Sequence, residues 1–215
     1  MQVCRPAWRA PLPACRPAGF EFPALLCCRE DNPEAFHHEL ENAAWEESMR
    51  GCAINTYLAL FEAHREAVAP VVLGLLQAAN EACAAALAAA AATASGAGAA
   101  AGAQPQPPAV HGIPAAVLAK AAVYQAAAVG SYELHEYIDF SSWLRASLLG
   151  EMADATPALR PLRRAAVKLV SHWLPKLRKE DRPAVYRTLL GVLAAEDAAL
   201  QLAALVTLQA MVDDW

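Results

Sequence analysis

Apolar residues recur along this chain at helical spacing, and no stretch alternates in the period-2 manner of a strand. In Ser48 to His64, the residues Ile54, Tyr57, Leu58 and Phe61 stand at i, i+3, i+4 and i+7, one face of a helix. Ala69-Pro70 opens a second helix, proline being tolerated in a first turn. Val71, Val72, Leu75, Leu76 and Ala79 continue its stripe, which fades into Ala82 to Ala92. Ile113-Pro114 restarts the helical pattern, with Val117, Leu118, Val123, Tyr124 and Ala127 toward a core and Lys120 at the rim. Gly130 and Ser131 weaken this helix, and Tyr132, Leu134 and Tyr137 carry it to Asp139. Asp139 or Ser141 caps the next helix, in which Trp143, Leu144, Leu148 and Met152 recur at helical spacing.

Three further helix-sized segments lie between Pro157 and Trp215, separated by proline or charge. The first buries Leu159, Leu162, Ala166, Leu169, Val170 and Trp173 and ends at Pro175. The second starts at Pro183 and turns Val185, Leu189, Leu190 and Leu193 inward. The third follows the turn at Ala195-Glu196-Asp197. Leu162-Arg163 is followed by Ala166 and Val170, and Leu200-Gln201 by Ala204 and Leu208, with Arg163 and Gln201 38 positions apart. An apolar, a long polar, a small and an apolar residue recurring at about 40 residues is the pattern of HEAT-type helical repeats. Helix pairs of that kind bury their apolar faces by stacking into a solenoid. Trp143 and Trp173 read as core aromatics at a helix–helix seam.

Composition sharpens this picture. Of the 215 residues 57% are hydrophobic, but much of that is alanine and only 7% are aromatic, so the core must be thin and spread along the chain. Alanine-rich segments poor in valine favour helix. The expected fold is all-α, a HEAT-repeat α-solenoid of stacked antiparallel helix pairs with room for about five repeats.

The expected organisation has four parts. Residues 1–30, rich in Pro, Arg and Cys and without helical period, form a disordered tail or reflect a mistaken gene start. Residues 31–92 and 113–215 are HEAT helices, the second set truncated at the C-terminus. Residues 93–112 are an Ala/Gly/Pro-rich linker. From Ala82 to Ala119 there is no charged side chain, yet Leu87 is the one strongly apolar residue between Ala84 and Ala109, so a membrane span is not expected there.

The net charge of −5 is unevenly placed. Glu30 to Glu47 holds seven acids and no Lys or Arg, whereas Arg160 to Arg187 holds nine Lys/Arg against Glu180 and Asp181. Such polarity argues against general nucleic-acid binding and points to a patch-specific protein partner. The cysteines at 4, 15, 27, 28, 52 and 83 form no C-x-x-C pair and read as reduced thiols. His37-His38-Glu39 does not converge on one ion, because adjacent helical residues point about 100° apart, so neither metal nor cofactor is expected. No Ser/His/Asp set or phosphate loop supports catalysis. A base-excision role would need a carboxylate in a basic cleft, and Glu180 and Asp181 lie in the polar turn K-L-R-K-E-D-R-P, where solvent is expected. No enzyme is expected.

Several ordered pieces resemble one family: D-N-P-E-A-F at Asp31, L-A-L-F-E-A-H-R-E-A-V-A-P-V-V-L-G-L-L-Q at Leu58, K-A-A-V-Y-Q-A-A-A-V-G-S-Y-E-L at Lys120 and F-S-S-W-L-R-A-S-L-L at Phe140. P-L-R-R-A-A-V-K-L-V-S-H-W-L at Pro161, R-P-A-V-Y-R-T-L-L-G-V-L at Arg182 and the terminal V-D-D-W follow in order. Together they resemble the middle of a receptor of the karyopherin-β (importin-β) family, nuclear transport receptors built from HEAT repeats. The resemblance runs from Asp31 to Trp215, with Ala82 to Gly112 as an unmatched insertion.

The resemblance implies a carrier that binds protein cargo, passes the nuclear pore by touching Phe-Gly nucleoporins, releases cargo to Ran-GTP and shuttles between cytoplasm and nucleus. The family's Ran-binding repeats lie near the receptor's N-terminus and have no counterpart here. The family also continues beyond V-D-D-W, so an internal piece or a truncated gene model is expected. Gln201 stands where HEAT repeats often carry arginine, a departure expected to cost a local polar contact at most. Arg160, Arg164 and Lys168 stand at i, i+4 and i+8 with Arg163 beside them. They are either a contact patch for an acidic cargo or receptor loop, or a solvated face pairing with Glu180 and Asp181. A generic HEAT scaffold without a transport role fits the same stripes.

Overall fold

The computed structural model describes residues 49–94, 109–110 and 112–213, with Asn32 and Glu34 besides. The expected tail over 1–30 and most of the expected linker lie outside the described residues.

The Ile54–Phe61 stripe forms α1 (Met49–Ala63), in which Phe61 is fully buried and Tyr57 meets it edge-on at 5.4 Å. The second helix, α2 (Arg65–Ala94), begins before Ala69 and places Pro70 inside it. As the sixth residue of this helix Pro70 has no amide hydrogen to offer the Glu66 carbonyl, so one helical hydrogen bond is missing there. The His64 carbonyl between α1 and α2 accepts from the amides of Ala67 and Val68, both at 3.0 Å. Two of the five expected α2 stripe residues face outward: Val72, Leu76 and Ala79 are buried with Cys83 and Ala86, but Val71 and Leu75 are exposed. Length and composition alone would let α2 cross a membrane. Its buried stripe packs on the helix that follows, and Asn80 and Glu81 interrupt its middle.

A two-stranded hairpin comes next, β1 (Ala109–Val110) antiparallel to β2 (Ile113–Pro114), so Ile113-Pro114 is strand rather than helix start. Gly112 turns the hairpin with φ of 76°, a backbone region that only glycine enters freely. Then α3 (Ala115–Val129) ends at Gly130, and a single helical turn, α4 (Ser131–Leu134), follows. The run from Phe140 to Ala153 is α5, made of Phe140–Trp143, a widened π turn at Leu144–Leu148 and Leu149–Ala153. Asp139 caps it, accepting from the Ser142 amide at 3.4 Å and the Ser142 hydroxyl at 2.7 Å.

A 3₁₀ turn at Pro157–Leu159 leads into α6 (Arg160–His172), where all six expected core residues, Leu159 to Trp173, are buried. After a second 3₁₀ turn at Leu174–Lys176, α7 (Arg182–Leu193) buries Val185, Leu189 and Val192, and leaves Leu190 59% exposed. The last helix, α8 (Ala198–Asp213), is capped by Asp197, whose Oδ1 accepts from the Leu200 amide at 3.1 Å.

Packing follows chain order. Helix α2 lies on α3, α3 on α6 and α6 on α8, while α5 contacts both α6 and α7, and α7 contacts α8. Among the described residues, then, α3, α6 and α8 form one row, and the end of α5 and α7 stand beside it in another. Aromatic rings seal the middle. Phe140 stacks on Trp173 at 5.0 Å, and Trp143 meets Trp173 at 6.3 Å and Tyr124 at 5.5 Å, both edge-on. The Trp173 indole N–H donates to the Ala127 carbonyl at 3.1 Å, tying α6 to α3. Trp173 is a core aromatic at the seam, whereas Trp143, expected in the core as well, is half-buried and packs against it.

Candidate functional site

The four cations of α6 occupy different environments. Arg163 and Arg164 are each only 8% exposed, Lys168 is half-buried, and Arg160 is exposed. The Arg163 Nε–H donates to the Met152 carbonyl at 2.6 Å, in the last turn of α5. A helix leaves its final carbonyls without intrahelical partners, and a long side chain from the next helix supplies the missing donor. Gln201 acts in the same way one step further along. Its side-chain amide donates to the Leu193 carbonyl at 3.0 Å and the Ala195 carbonyl at 2.8 Å, at the end of α7. The Arg-to-Gln departure therefore costs no polar contact.

Glu180 and Asp181 are engaged by other cations. The Arg145 Nε–H donates to Asp181 Oδ1 at 2.6 Å, and Arg145 Nη2 lies 3.2 Å from Glu180. Arg178 stands 3.7 Å from Asp139 and 3.8 Å from Glu180. Solvent was expected at Asp181, but it is only 4% exposed, because the α6–α7 loop folds it against Arg145 on α5. Its Oδ1 is taken up by an internal ion pair, and its Oδ2 is buried without a hydrogen-bond partner.

A second polar cluster gave no sequence signal. Lys120, expected at the rim, is buried, and its Nζ is 2.7 Å from Glu151 Oε1 and 5.5 Å from the Tyr124 ring centroid. Buried charges demand such pairing, because removal from water costs several kcal/mol per ion. The Tyr124 hydroxyl, buried beside Glu151 without reaching hydrogen-bonding geometry, is pushed far above the usual tyrosine range by desolvation first and by the Glu151 charge second. Burial likewise raises the Cys83 thiol, so it stays protonated and a poor nucleophile. This cluster borders a cleft of about 290 Å³ between α2 and α5, walled by Asn80, Cys83, Leu87, Glu151, Leu159 and Leu162. The cleft has room for a side chain of a partner. Among the described residues no group of three His, Cys, Asp or Glu could hold a metal ion.

The resemblance expected from the ordered run of motifs is found in the comparison with curated proteins. The chain is 27% identical over 188 residues to Importin-11 of mouse and to Importin-11 of human. The match covers 86% of this chain and 17% of each relative, consistent with a segment of that family. No protein-family profile matches the chain, and no solved structure does.

Proposed function

We propose that this chain is a segment of a nuclear import receptor of the importin-β type, in which stacked HEAT helix pairs present surfaces to protein partners. The observation that carries the reading is the collinear similarity to Importin-11 across 86% of the chain. The matching roles of Arg163 and Gln201, 38 positions apart, support the repeat element of it. The mechanism involves binding alone. The helices are scaffolding, partners are held by many modest contacts, and release follows when a competing partner, Ran-GTP in the whole receptor, binds the same molecule more favourably. Cargo, Phe-Gly nucleoporins and shuttling between cytoplasm and nucleus belong to this proposal. Arg160 and Lys168 are the members of the α6 stripe that reach solvent, and we assign them as partner contacts, with Arg163 and Arg164 packed behind them.

The cleft between α2 and α5 suits one aromatic side chain of a Phe-Gly repeat: Leu87, Leu159 and Leu162 supply apolar wall and Lys120 a cation. The test is retention of the chain on immobilised Phe-Gly peptide against a Ser-Gly control. Retention on Phe-Gly alone, weakened by Leu87→Glu, is the expected result. Equal retention on both would leave a HEAT scaffold without a transport role as the better reading.

A further inference from the structure

We propose that the α6–α7 loop and the first turns of α7 form a docking surface for an acidic polypeptide stretch of a protein partner. This inference rests on the reading of the chain as a protein-binding segment and moves the main electrostatic contact away from the α6 stripe.

Residues 176–187 carry Lys176, Arg178, Lys179, Arg182 and Arg187 against Glu180 and Asp181. Both acids are already engaged: Asp181 by Arg145, and Glu180 by Arg145 with Arg178 near it. Asp139, in the loop before α5, is engaged by Arg178 and by its own cap on Ser142. Lys176, Lys179 and Arg187 are exposed, and no acid among the described residues pairs with them. The internal acids are thus consumed by Arg145 and Arg178, leaving a local excess of positive charge on a chain whose net charge is −5.

The loop is held in shape. The Lys176 amide donates to the Trp173 carbonyl at 2.9 Å, the Leu177 amide to Leu174 at 2.9 Å and the Asp181 amide to Arg178 at 3.0 Å. Leu174 and Leu177 are buried, so the loop is anchored between the exposed lysines. Cations on a pre-shaped loop bind an extended polyanion with little ordering cost. Helix α6 is about 20 Å long, which separates this surface from Arg160 at the other end.

An acidic polypeptide fits better than nucleic acid. Unspecific nucleic-acid binding combines a long basic groove with aromatic stacking platforms. Here the cations are few, Trp173 is buried and Tyr186 is half-buried.

The test is fluorescence anisotropy of the full chain with a labelled oligoglutamate peptide at low and high salt, beside oligoglutamine and oligothymidylate of equal length. The chain is expected to bind oligoglutamate in a salt-sensitive manner and the other two at least about tenfold more weakly. Lys176→Glu/Lys179→Glu/Arg187→Glu is expected to weaken oligoglutamate binding at least about tenfold, and Arg160→Glu/Lys168→Glu to weaken it less. Lys176→Gln/Lys179→Gln repeats the test by neutralisation, with circular dichroism confirming the fold. Unchanged binding in a folded loop variant would overturn the proposal. So would a larger loss in the α6 variant, or equal affinity for oligothymidylate. Phe-Gly retention without oligoglutamate binding would overturn this inference alone, and oligoglutamate binding without Phe-Gly retention would overturn the carrier reading alone.

Discussion

A methyl group on Gly130 would stand 2.7 Å from the hydroxyl of Tyr57, 73 positions earlier in the chain. Gly130 has φ of −84°, so the backbone asks nothing special of it. Space is what requires glycine: the Tyr57 hydroxyl passes over it to donate to the Ala126 carbonyl at 3.2 Å, in the last turn of α3. Helix α1 is thereby fastened to the C-terminal end of α3.

Gly130→Ala is therefore expected to destabilise the chain by about 1–3 kcal/mol, the range for overpacking a close contact. Tyr57→Phe in the same chain removes the clashing oxygen and is expected to recover part of that loss. Urea unfolding of the two single variants and the double variant gives the coupling, with a value beyond about 0.5 kcal/mol expected for groups in contact.

The Trp173 indole supplies the link between α6 and α3. Trp173→Phe keeps a ring for Phe140 to stack on but leaves the buried Ala127 carbonyl without its donor. A cost of about 1–3 kcal/mol is expected for that orphaned acceptor, read from chemical denaturation followed by circular dichroism.

How far the sequence foretold these contacts differs from helix to helix. On α6 every expected core residue is buried, because one apolar phase runs unbroken through Leu162, Ala166, Leu169 and Val170. On α7 the string L-L-G-V-L offers two phases, and packing against α5 and α8 selects Leu189 with Val192 over Leu190. The outward turn of Val71 and Leu75 on α2 arises in the same way. Lys120 was beyond reach, since its partner Glu151 lies 31 positions away on another helix and no local pattern joins them. Arg163 and Arg164 look like surface charge until a carbonyl at the end of α5 and long buried stems are seen to claim them. The uncompensated cations at Lys176, Lys179 and Arg187 emerged only once Arg145 was seen to hold Asp181.

Stability is expected to fall at alkaline pH through the buried phenols. Burial pushes the Tyr57 hydroxyl from 10.0 up to about 12 in the folded chain, and desolvation raises Tyr124 further. The unfolded chain releases these protons first, so below pH 10 the contribution is whole, and above it the unfolded state gains as pH rises toward 12 and beyond. Urea midpoints measured between pH 9 and 12 are expected to decline, with a shallower decline in Tyr57→Phe. A profile identical in that variant would remove Tyr57 as a source.

The most direct test of the stacked-repeat reading is a substitution at Gln201, the position that this reading pairs with Arg163. If α5–α6 and α7–α8 are copies of one unit, Gln201→Arg places the residue of the first copy where the second already offers carbonyls of Leu193 and Ala195. Urea unfolding of Gln201→Arg is then expected to give a stability within about 1 kcal/mol of the parent, because a guanidinium at this half-buried position can donate to the Leu193 and Ala195 carbonyls as Arg163 donates to the Met152 carbonyl. A loss of about 3 kcal/mol or more, as when a partly desolvated charge finds no acceptor, would contradict the equivalence.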